Sequence, residues 1–384
     1  MVNAGKQERD VYERLGVRKL INAEGTVTAL GGCRMDPEVT SAMAEAARHF
    51  VDLRELLVKS GEHVAELIGV EAALITAGAA AGLALATAAC VAAGDPSRVQ
   101  RLPDTRGLPN RVAVHRCHRN GYDQAVRQAG AELVEFGWIK ETYPWQLEAA
   151  IDEGTAAVVY FLEFAERGSL SLETVVGIAH SRGVPVIVDA AAELPPLSNL
   201  RRFTDIGADL VAFSGGKEIQ GPQTSGLVVG RKDLIEMCAV HTSPNYSIGR
   251  SMKTGKEEIV GFVVALERYL THDGAERESK REAQVAYFIQ KIGSLPGVTV
   301  RRVFPVGPGR RPGTIPRAYV EWDRGIMPVT AEEIVDALYD GNPPIAVGTA
   351  NDALVLNPQT LDLGEEEIVA DRLCQLLKHH IGTT

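Results

Sequence analysis

One lysine, Lys217, lies in a glycine-rich segment that directly follows an apolar run. The run DLVAF (209–213) leads into SGGK, and the chain then continues EIQGPQTSG. A loop lysine is usually a solvated charge, but its amine is also one of the groups that react covalently with carbonyl compounds. Which of the two applies depends on the other groups that the fold brings to this residue.

Two further segments could supply those groups. VPVIVDAAAELPP places Asp189 at the end of an apolar strand, where a carboxylate is partly buried and needs a partner. TAGAAAG (76–82) is a strand that runs into a turn of small residues and then a helix, and such a helix N-terminus can hold a phosphate. Each has an ordinary alternative: Asp189 could cap the segment after it, and the small residues could serve close helix packing.

Together, the three features match the requirements of pyridoxal 5′-phosphate (PLP). Lys217 would form a Schiff base with its aldehyde, Asp189 would keep its pyridine nitrogen protonated, and the small-residue turn would bind its phosphate. The glycines beside Lys217 would let the backbone approach the cofactor and leave room for the lysine side chain to move. Ligands of open α/β sheets bind at the carboxyl ends of strands, where all three segments are predicted.

The composition argues against several other classes of protein. The 384 residues are 45% hydrophobic and 23% charged, which is ordinary for a globular chain with a sizeable core. A formal net charge of −10 argues against a nucleic acid or an anionic membrane as the main partner. The five cysteines are scattered without a CxxC pair, so we expect a reducing cytoplasm and no metal site. In the apolar stretch 73–94, rich in Ala and Gly, we predict a strand, a turn and a buried helix instead of a membrane span.

Apolar runs rich in Val, Ile and Ala alternate with helical patterns through the first 240 residues. We predict strands at 72–76, 111–116, 132–137, 156–164, 184–190, 209–215 and 226–230. Continuous apolar strands separated by helices indicate an α/β fold with a doubly wound, mostly parallel sheet. After residue 250, a long helical pattern (254–295) and strands at 299–304, 318–322 and 353–358 indicate a smaller α+β domain. We therefore expect an N-terminal arm (1–20), a large PLP-binding domain (21–250), and a linking helix with a small C-terminal domain (251–384).

The sequence resembles the fold type I PLP enzymes, which have the aspartate-aminotransferase fold. Within them it is similar to the branch that contains selenocysteine synthase (L-seryl-tRNA selenium transferase) and D-glucosaminate-6-phosphate ammonia-lyase. The resemblance rests on LINAEGTVTALGG (20–32), TAGAAAGLALATAA (76–89), HRNGYDQAVRQAGAELVEFG (118–137), VIVDAAAELPP (186–196) and FSGGKEIQGPQTSGLVVGRKDLI (213–235).

The resemblance implies a role for individual residues. Lys217 matches the Schiff-base lysine and Asp189 the partner of the pyridinium. Cofactor phosphate would bind to the backbone of Gly78, Ala79 and Ala80 and to the hydroxyl of Ser214. His118 would stack on the cofactor ring, with Tyr122 as the alternative.

The chain departs from this family in two places. The family's tRNA-dependent members carry an additional N-terminal tRNA-binding domain, whereas here the equivalent of the catalytic domain begins almost at once, so we do not expect a tRNA substrate. The family also leads us to expect an arginine after the proline pair 343–344, to hold a substrate carboxylate. The sequence has Val347 and Gly348 there. Arg34, Arg54 and Arg317 are the candidates to replace it.

The expected reaction begins with removal of the Cα proton of a small amino acid or amino sugar acid. By analogy with the ammonia-lyase relative, we favour β-elimination with release of ammonia. A racemase or epimerase and an aminotransferase are the alternatives, followed by a tRNA-dependent selenium transferase-like enzyme or a non-catalytic protein with this fold. The resemblance further implies a homodimer or a multiple of dimers, with the GPQTSG segment (221–226) near the dimer interface.

Overall fold

The chain folds into two compact units. A computed structural model describes residues 10–165, 168–271, 274–305 and 311–381. The large unit comprises Gly31–His272 and Pro305–Thr314, and the small unit comprises Met1–Leu30, Asp273–Phe304 and Ile315–Thr384. Each unit has its own hydrophobic core.

The strands and helices alternate along most of the chain. The strands are β1 (Ile21–Ala23), β2 (Ala72–Thr76), β3 (Arg111–His115), β4 (Glu132–Phe136), β5 (Thr155–Phe161), β6 (Val186–Asp189), β7 (Leu210–Ser214), β8 (Gly226–Gly230), β9 (Val298–Val303), β10 (Arg317–Trp322), β11 (Ile345–Ala350) and β12 (Ala353–Leu356). The helices are α1 (Val11–Leu15), α2 (Pro37–Ala46), α3 (Leu53–Ile68), α4 (Ala79–Ala92), α5 (Pro96–Arg101), α6 (Asp123–Gln128), α7 (Pro144–Ala150), α8 (Leu172–Ser181), α9 (Asn199–Ile206), α10 (Lys232–His241), α11 (Lys256–Thr271), α12 (Gly274–Ile292), α13 (Ala331–Tyr339) and α14 (Glu365–His380).

The large unit is built on a seven-stranded sheet in the order β2-β8-β7-β6-β5-β3-β4. The strands from β7 to β4 in that order pair in parallel, whereas β8 runs antiparallel to both of its neighbours, β7 and β2. The sheet is therefore mostly parallel, and the prediction of a doubly wound α/β fold is confirmed. Because β2, β7 and β6 share one direction, their carboxyl ends lie at one edge of the sheet.

Helix α4 is the central helix of the large unit and packs on β5, β6, β7 and β8. Almost all of its residues are buried, so the helix has no face toward solvent. A helix in this position must be apolar on every side, as its sequence is. Gly82 allows the close approach, since a Cβ there would lie 2.7 Å from Cγ2 of Val228. Within the part of the chain that the structure describes, no helix is both long enough and apolar enough to cross a bilayer.

The small unit has a five-stranded sheet in the order β1-β11-β12-β10-β9. β1 pairs with β11 in parallel, and the other pairs are antiparallel. Helices α12, α13 and α14 pack against this sheet and one another, and residues such as Phe288, Leu354 and Leu373 form the core between them.

The helical pattern predicted over 254–295 corresponds to two helices, α11 and α12. Helix α11 belongs to the large unit, where it packs on α2 and α3, and Arg268 in it pairs with Asp36 (2.7 Å) and with Glu38. Helix α12 belongs to the small unit. The predicted glycine- and proline-rich loop (305–316) has no regular structure at 311–316, and residues 306–310 lie outside the described residues.

Candidate active site

Lys217 and Asp189 follow two neighbouring strands at the same edge of the large sheet. Asp189 is the last residue of β6 and pairs in register with Ala212 of the parallel strand β7, and Lys217 comes three positions after the end of β7. Burial lowers the pKa of the Lys217 ammonium, and the charge of Asp189 opposes that shift. Among the described residues, the Lys217 amine has no hydrogen-bond or ion-pair partner. The lysine is thus half-buried and free to react.

The carboxylate of Asp189 is half-buried and only partly satisfied by the protein. Its Oδ1 accepts a hydrogen bond from the backbone N–H of Ala191 (2.9 Å). Burial raises the pKa of Asp189, while the Ala191 N–H and the Lys217 charge oppose the rise. Within the described part of the chain, Oδ2 of Asp189 has no hydrogen-bond donor, so it can accept one from a ligand.

The N-terminus of α4 offers unpaired backbone donors. Its first helical bond is from the Gly82 N–H to the Gly78 carbonyl (3.0 Å), and no described residue accepts from the N–H groups of Ala79, Ala80 and Ala81. Gly78 has φ 96°, a conformation that favours glycine, and open space lies where its Cβ would be. A helix N-terminus of this kind, with three free donors and the positive end of the helix dipole, can hold a phosphate.

Register across the sheet aligns this turn with Ser214. Thr76 at the end of β2 pairs with Gly226 of β8, and Gly226 pairs with Ser214 at the end of β7. The Cα atoms of Thr76 and Ser214 are thus two strand spacings apart, about 10 Å. Gly226 must be a glycine because a Cβ there would lie 2.4 Å from the Gly78 carbonyl carbon. The hydroxyl of Ser214 and the α4 turn are therefore disposed around one space.

The glycines beside Lys217 have a packing role that the sequence did not indicate. A Cβ at Gly215 would lie 2.2 Å from Oγ of Ser225, and one at Gly216 would lie 2.6 Å from Cα of Gln223. The 221–226 segment folds back onto residues 215–217, the lysine loop. Two hydrogen bonds join them, from Gly221 N–H to Gly215 O and from Gly215 N–H to Ser225 O (both 2.9 Å). The glycines thus allow this close backbone contact, which fixes the position of the lysine.

The two rings considered for stacking have different surroundings. His118 is fully buried, and its ring packs against His115 (centroids 4.4 Å apart) and perpendicular to Tyr160 (4.8 Å). Its two ring nitrogens have no hydrogen-bond partner among the described residues, and burial lowers its pKa to about 3. Tyr122 is 50% exposed, and burial together with the nearby charge of Asp189 raises its pKa. Tyr122 is therefore the ring with a solvent-accessible face near Asp189.

The three candidate arginines lie in three different places. Arg34 is exposed and follows Cys33, whose Sγ donates to the Gly221 carbonyl (3.6 Å), so Arg34 adjoins the lysine loop. Arg54 lines a groove between α3 and α10, which contains no residue of the Lys217 region. Arg317 is buried in β10 of the small unit.

Three charged residues near Lys217 were missed by the sequence analysis. Glu163 follows β5, Glu193 follows β6, and both carboxylates act on the Lys217 charge. Arg311 contacts Glu193, with its Nε 3.5 Å from Oε1, and donates from Nη2 to the Leu162 carbonyl (3.2 Å). Glu193 could have been found as an acidic residue just after the predicted strand 184–190. Glu163 fell inside the predicted strand 156–164, which in the structure ends at Phe161, and nothing in the sequence placed Arg311 beside them.

The residues at this edge fit PLP. Free backbone donors at α4 suit its phosphate, the unpaired amine of Lys217 suits its aldehyde, and the open Oδ2 of Asp189 suits the N–H of a pyridinium. These groups come from one sheet edge of one compact unit. The site can therefore hold the cofactor and carry out acid–base chemistry on a bound amine.

Comparison with known proteins agrees with this geometry. The sequence profile of the L-seryl-tRNA selenium transferase family matches residues 20–283. The chain is 35% identical over 382 residues to a 5′-C-glycyluridine monooxygenase-decarboxylase of Streptomyces sp, covering 97% of this chain and 93% of the relative. It is also 35% identical over 381 residues to a D-glucosaminate-6-phosphate ammonia lyase of Salmonella typhimurium, covering 96% and 98%.

A solved structure of a D-glucosaminate-6-phosphate ammonia-lyase has the same fold. It superposes with a TM-score of 0.85 at 35% sequence identity, over 97% of this chain and 99% of the other. The predicted fold type I architecture, the PLP cofactor and the resemblance to this branch are thereby confirmed. The chain belongs to the L-seryl-tRNA selenium transferase family, and it is a PLP-dependent enzyme of fold type I.

Proposed function

We propose that the protein is a PLP-dependent lyase that eliminates a β-hydroxyl from a small amino acid or amino sugar acid and releases ammonia. The observation that carries the proposal is the placement of an unpartnered, half-buried Lys217 and of Asp189 after adjacent strands at one sheet edge. The products are a 2-keto acid and ammonia, because the enamine left by elimination of water rearranges to an imine and is hydrolysed.

Each part of the cofactor would be held by a separate part of the large unit. The backbone of Gly78, Ala79 and Ala80 and the hydroxyl of Ser214 would bind the phosphate, and Lys217 would hold the aldehyde. Asp189 would accept the hydrogen bond of the pyridine nitrogen through Oδ2. When bound, PLP supplies the electron sink that makes the substrate's Cα proton acidic.

Lys217 acts as the base that removes the Cα proton. An ordinary lysine has a pKa of roughly 10.4 and is almost wholly protonated near neutrality. Burial lowers the pKa of Lys217, which raises the fraction of free amine available as a base. Asp189 supports the same step, because its negative charge would keep the proton on the pyridine nitrogen of the bound cofactor.

Tyr122 is our choice for the ring that packs on the cofactor. It has an accessible face and lies close enough to Asp189 for the carboxylate to raise its pKa. His118, the first choice from the sequence, is fully buried against His115 and Tyr160.

The ammonia-lyase relative supports a hydroxylated amino sugar acid as the class of substrate. It is named for a phosphorylated 2-amino sugar acid and matches nearly the full length of this chain at 35% identity. A small-molecule substrate for this chain is consistent with the substrate for which the ammonia-lyase relative is named. Arg34, which adjoins the lysine loop, is our candidate to hold a substrate anion.

A second candidate function comes from the other relative at 35% identity. That protein is named as a monooxygenase-decarboxylase, so its reaction consumes dioxygen and releases carbon dioxide. The two candidates differ in what they need and release. A lyase requires no dioxygen and yields ammonia.

The test is a product assay with the holoprotein and no added keto acceptor. Candidate substrates are D-glucosaminate with and without a 6-phosphate, and both enantiomers of serine and threonine, each with and without dioxygen. We expect a 2-keto product and ammonia in equal amounts, at the same rate in both atmospheres. Dioxygen consumption with release of carbon dioxide would favour the second candidate. A racemised substrate or a need for a keto acceptor would indicate the racemase or the aminotransferase.

Assembly and location are also part of the proposal. The family resemblance supports a homodimer or a multiple of dimers, and the scattered cysteines support a reducing cytoplasm. The acidic net charge supports a small-molecule substrate instead of a nucleic acid. Light scattering of the purified holoprotein measures the number of chains in the assembly.

A further inference from the structure

Elimination of a hydroxyl needs an acid as well as a base. Hydroxide is a poor leaving group, and a positioned acid that protonates it contributes roughly 10²–10⁴-fold to the rate. In the proposed reaction, Lys217 takes the Cα proton and Asp189 serves the pyridine nitrogen. Asp189 is occupied with the pyridine nitrogen, and Lys217 must start the reaction unprotonated to act as the base. An acid that already holds its proton when the Cα–H bond breaks would therefore be another residue.

Glu193 lies in the right region of the site. It follows Asp189 on the turn after β6, and its carboxylate interacts with the charges of Asp189, Glu163 and Lys217. The backbone of Glu193 is anchored at both ends, because its N–H donates to Ala190 O (3.1 Å) and its carbonyl accepts from Asn199 Nδ2 (2.7 Å). The backbone of the residue is thus held in place four positions after Asp189.

The side chain of Glu193 is also enclosed and oriented. It is only 11% exposed, and Arg311 lies against it with Nε 3.5 Å from Oε1. Arg311 is itself fixed by its bond to the Leu162 carbonyl, and Thr314 in the same segment donates to the Pro195 carbonyl (2.9 Å). Binding of PLP and removal of the Cα proton need neither Glu193 nor Arg311. A chemical role for Glu193 would therefore lie in a later step of the reaction.

We propose that Glu193 is the general acid that protonates the departing β-hydroxyl. The inference rests on the proposed lyase function. The C–O bond breaks with its electron pair going to oxygen, oxygen takes the proton of the Glu193 carboxyl, and water leaves. The electron pair of the broken Cα–H bond forms the new double bond, and the proton held by Lys217 is returned to Glu193 through water before the next turnover.

The protonation state of Glu193 agrees with this role. Burial raises its pKa, with Arg311 opposing the rise and Asp189 and Glu163 adding to it. A raised pKa keeps a larger fraction of the carboxyl protonated near neutrality than an exposed glutamate would have. Glu163 lies on the short helix after β5 and is also half-buried, which makes it the comparison residue for the test.

The test compares leaving groups in the holoenzyme. Wild type, Glu193→Gln and Glu163→Gln are assayed with the β-hydroxy substrate and with its analogue carrying chlorine at Cβ, serine and 3-chloroalanine being the simplest pair. Chloride leaves without a proton. We expect Glu193→Gln to lose at least about 100-fold in kcat with the hydroxy substrate and little with the chloro analogue. Glu163→Gln removes an equal charge from the same cluster, and we expect it to change both substrates alike.

Three outcomes of the kinetic test count against the inference. Equal losses on both substrates, or no loss on either, would show that Glu193 is not the acid. If wild type releases ammonia from neither substrate, the lyase proposal fails and this inference fails with it. If wild type does release ammonia and Glu193→Gln is unimpaired, only the inference about Glu193 fails.

An infrared measurement tests the residue without turnover. The difference spectrum between wild-type and Glu193→Gln holoenzyme at neutral pH should contain the carbonyl band of a neutral carboxylic acid, and its absence would overturn the proposal. If Glu193→Gln does not retain the visible cofactor band, Glu193→Asp takes its place. That variant keeps an acid in a retracted position, so we expect a smaller loss that is still confined to the hydroxy substrate.

Discussion

At the scale of single residues, the role proposed for Asp189, keeping the pyridine nitrogen protonated, depends on its negative charge. Replacing it with asparagine preserves its shape but removes the negative charge, so the pyridine nitrogen would lose its proton. We expect Asp189→Asn to bind PLP and to exchange the substrate's Cα proton in D₂O slower by roughly 10²–10³-fold, the usual cost of one preorganised electrostatic contact. Proton NMR measures the exchange without requiring elimination.

The matched control for this prediction is Asp205→Asn. Asp205 is an exposed aspartate of α9 that pairs with Arg201 in the same helix (3.1 Å). Its loss should leave exchange unchanged. An exchange rate near wild type in Asp189→Asn would contradict the role assigned to Asp189.

Arg311 gives a second prediction at this scale, a shift in the pH profile. If Glu193 must be protonated to act, activity falls as pH rises through the pKa of Glu193. Arg311 holds that pKa down, so Arg311→Met should raise it and move the basic limb of the kcat profile to higher pH. A nearby opposite charge typically moves a carboxyl pKa by about one unit or more, which sets the expected shift.

Two further variants separate the charge of Arg311 from its shape. Arg311→Lys keeps the charge but not the planar fork, so its basic limb should stay near that of wild type. A double variant with Glu193→Gln should lack the limb altogether. A shift to lower pH in Arg311→Met would contradict the argument.

At the scale of secondary-structure elements, the sequence predicts where the strands lie along the chain better than it predicts which strands pair in the sheet. The strands 72–76 and 226–230 were predicted at their observed bounds, because a continuous apolar run between turn residues marks a buried strand. The order of the sheet could not be predicted. Placing β8 antiparallel between β2 and β7 depends on long-range pairing, and it is this pairing that aligns Thr76, Gly226 and Ser214.

The same limit applies to the candidate site. Lys217 and Asp189 could be recognised because each follows an apolar strand in a distinctive local sequence. Arg311 could not, because its glycine- and proline-rich segment has no pattern that indicates its neighbours. The segment reaches Glu193 and the Leu162 carbonyl through contacts across 118 and 149 residues of sequence. Strand β11 was also missed, since IAVGTA has the short length and small residues of a loop.

Gly226 provides the prediction that belongs to this scale. Gly226→Ala would place a Cβ 2.4 Å from the Gly78 carbonyl carbon and 2.7 Å from the Ala79 nitrogen, so the α4 turn must move. We expect PLP and inorganic phosphate to bind at least about tenfold more weakly, with a loss of about 1–3 kcal/mol in stability, as overpacking usually costs. Fluorescence titration and urea denaturation measure the two effects.

Gly177→Ala is the control for that substitution. Gly177 lies on the exposed side of α8, and a Cβ there would meet nothing within 4 Å. Alanine should therefore raise stability by about 0.5–1 kcal/mol and leave cofactor affinity unchanged. Unaltered phosphate affinity in Gly226→Ala would show that the α4 turn is not the phosphate site.

At the scale of the whole molecule, charge distinguishes a tRNA-dependent selenium transferase from an enzyme that acts on a small molecule. A selenium transferase must bind a tRNA, and binding of a polyanion requires cationic side chains that release counterions from its phosphates. This chain has 50 acidic and 40 basic residues, a formal net charge of −10. Many of its arginines are also already paired with carboxylates, as Arg119 is with Asp123 (2.5 Å) and Arg231 with Asp209 (2.9 Å).

We therefore expect no measurable affinity of the holoprotein for tRNA at physiological salt. Fluorescence anisotropy with labelled bulk tRNA, repeated over a series of salt concentrations, tests this, and a basic tRNA-binding protein in the same buffer is the positive control. Weak binding at low salt that vanishes by about 0.15 M would reflect non-specific contacts only. Affinity that persists at that salt, with a log–log slope corresponding to several neutralised phosphates, would instead require a local basic surface. It would shift the proposed function from a small hydroxylated amine to a tRNA-bound one, while leaving the roles of Lys217 and Asp189 unchanged.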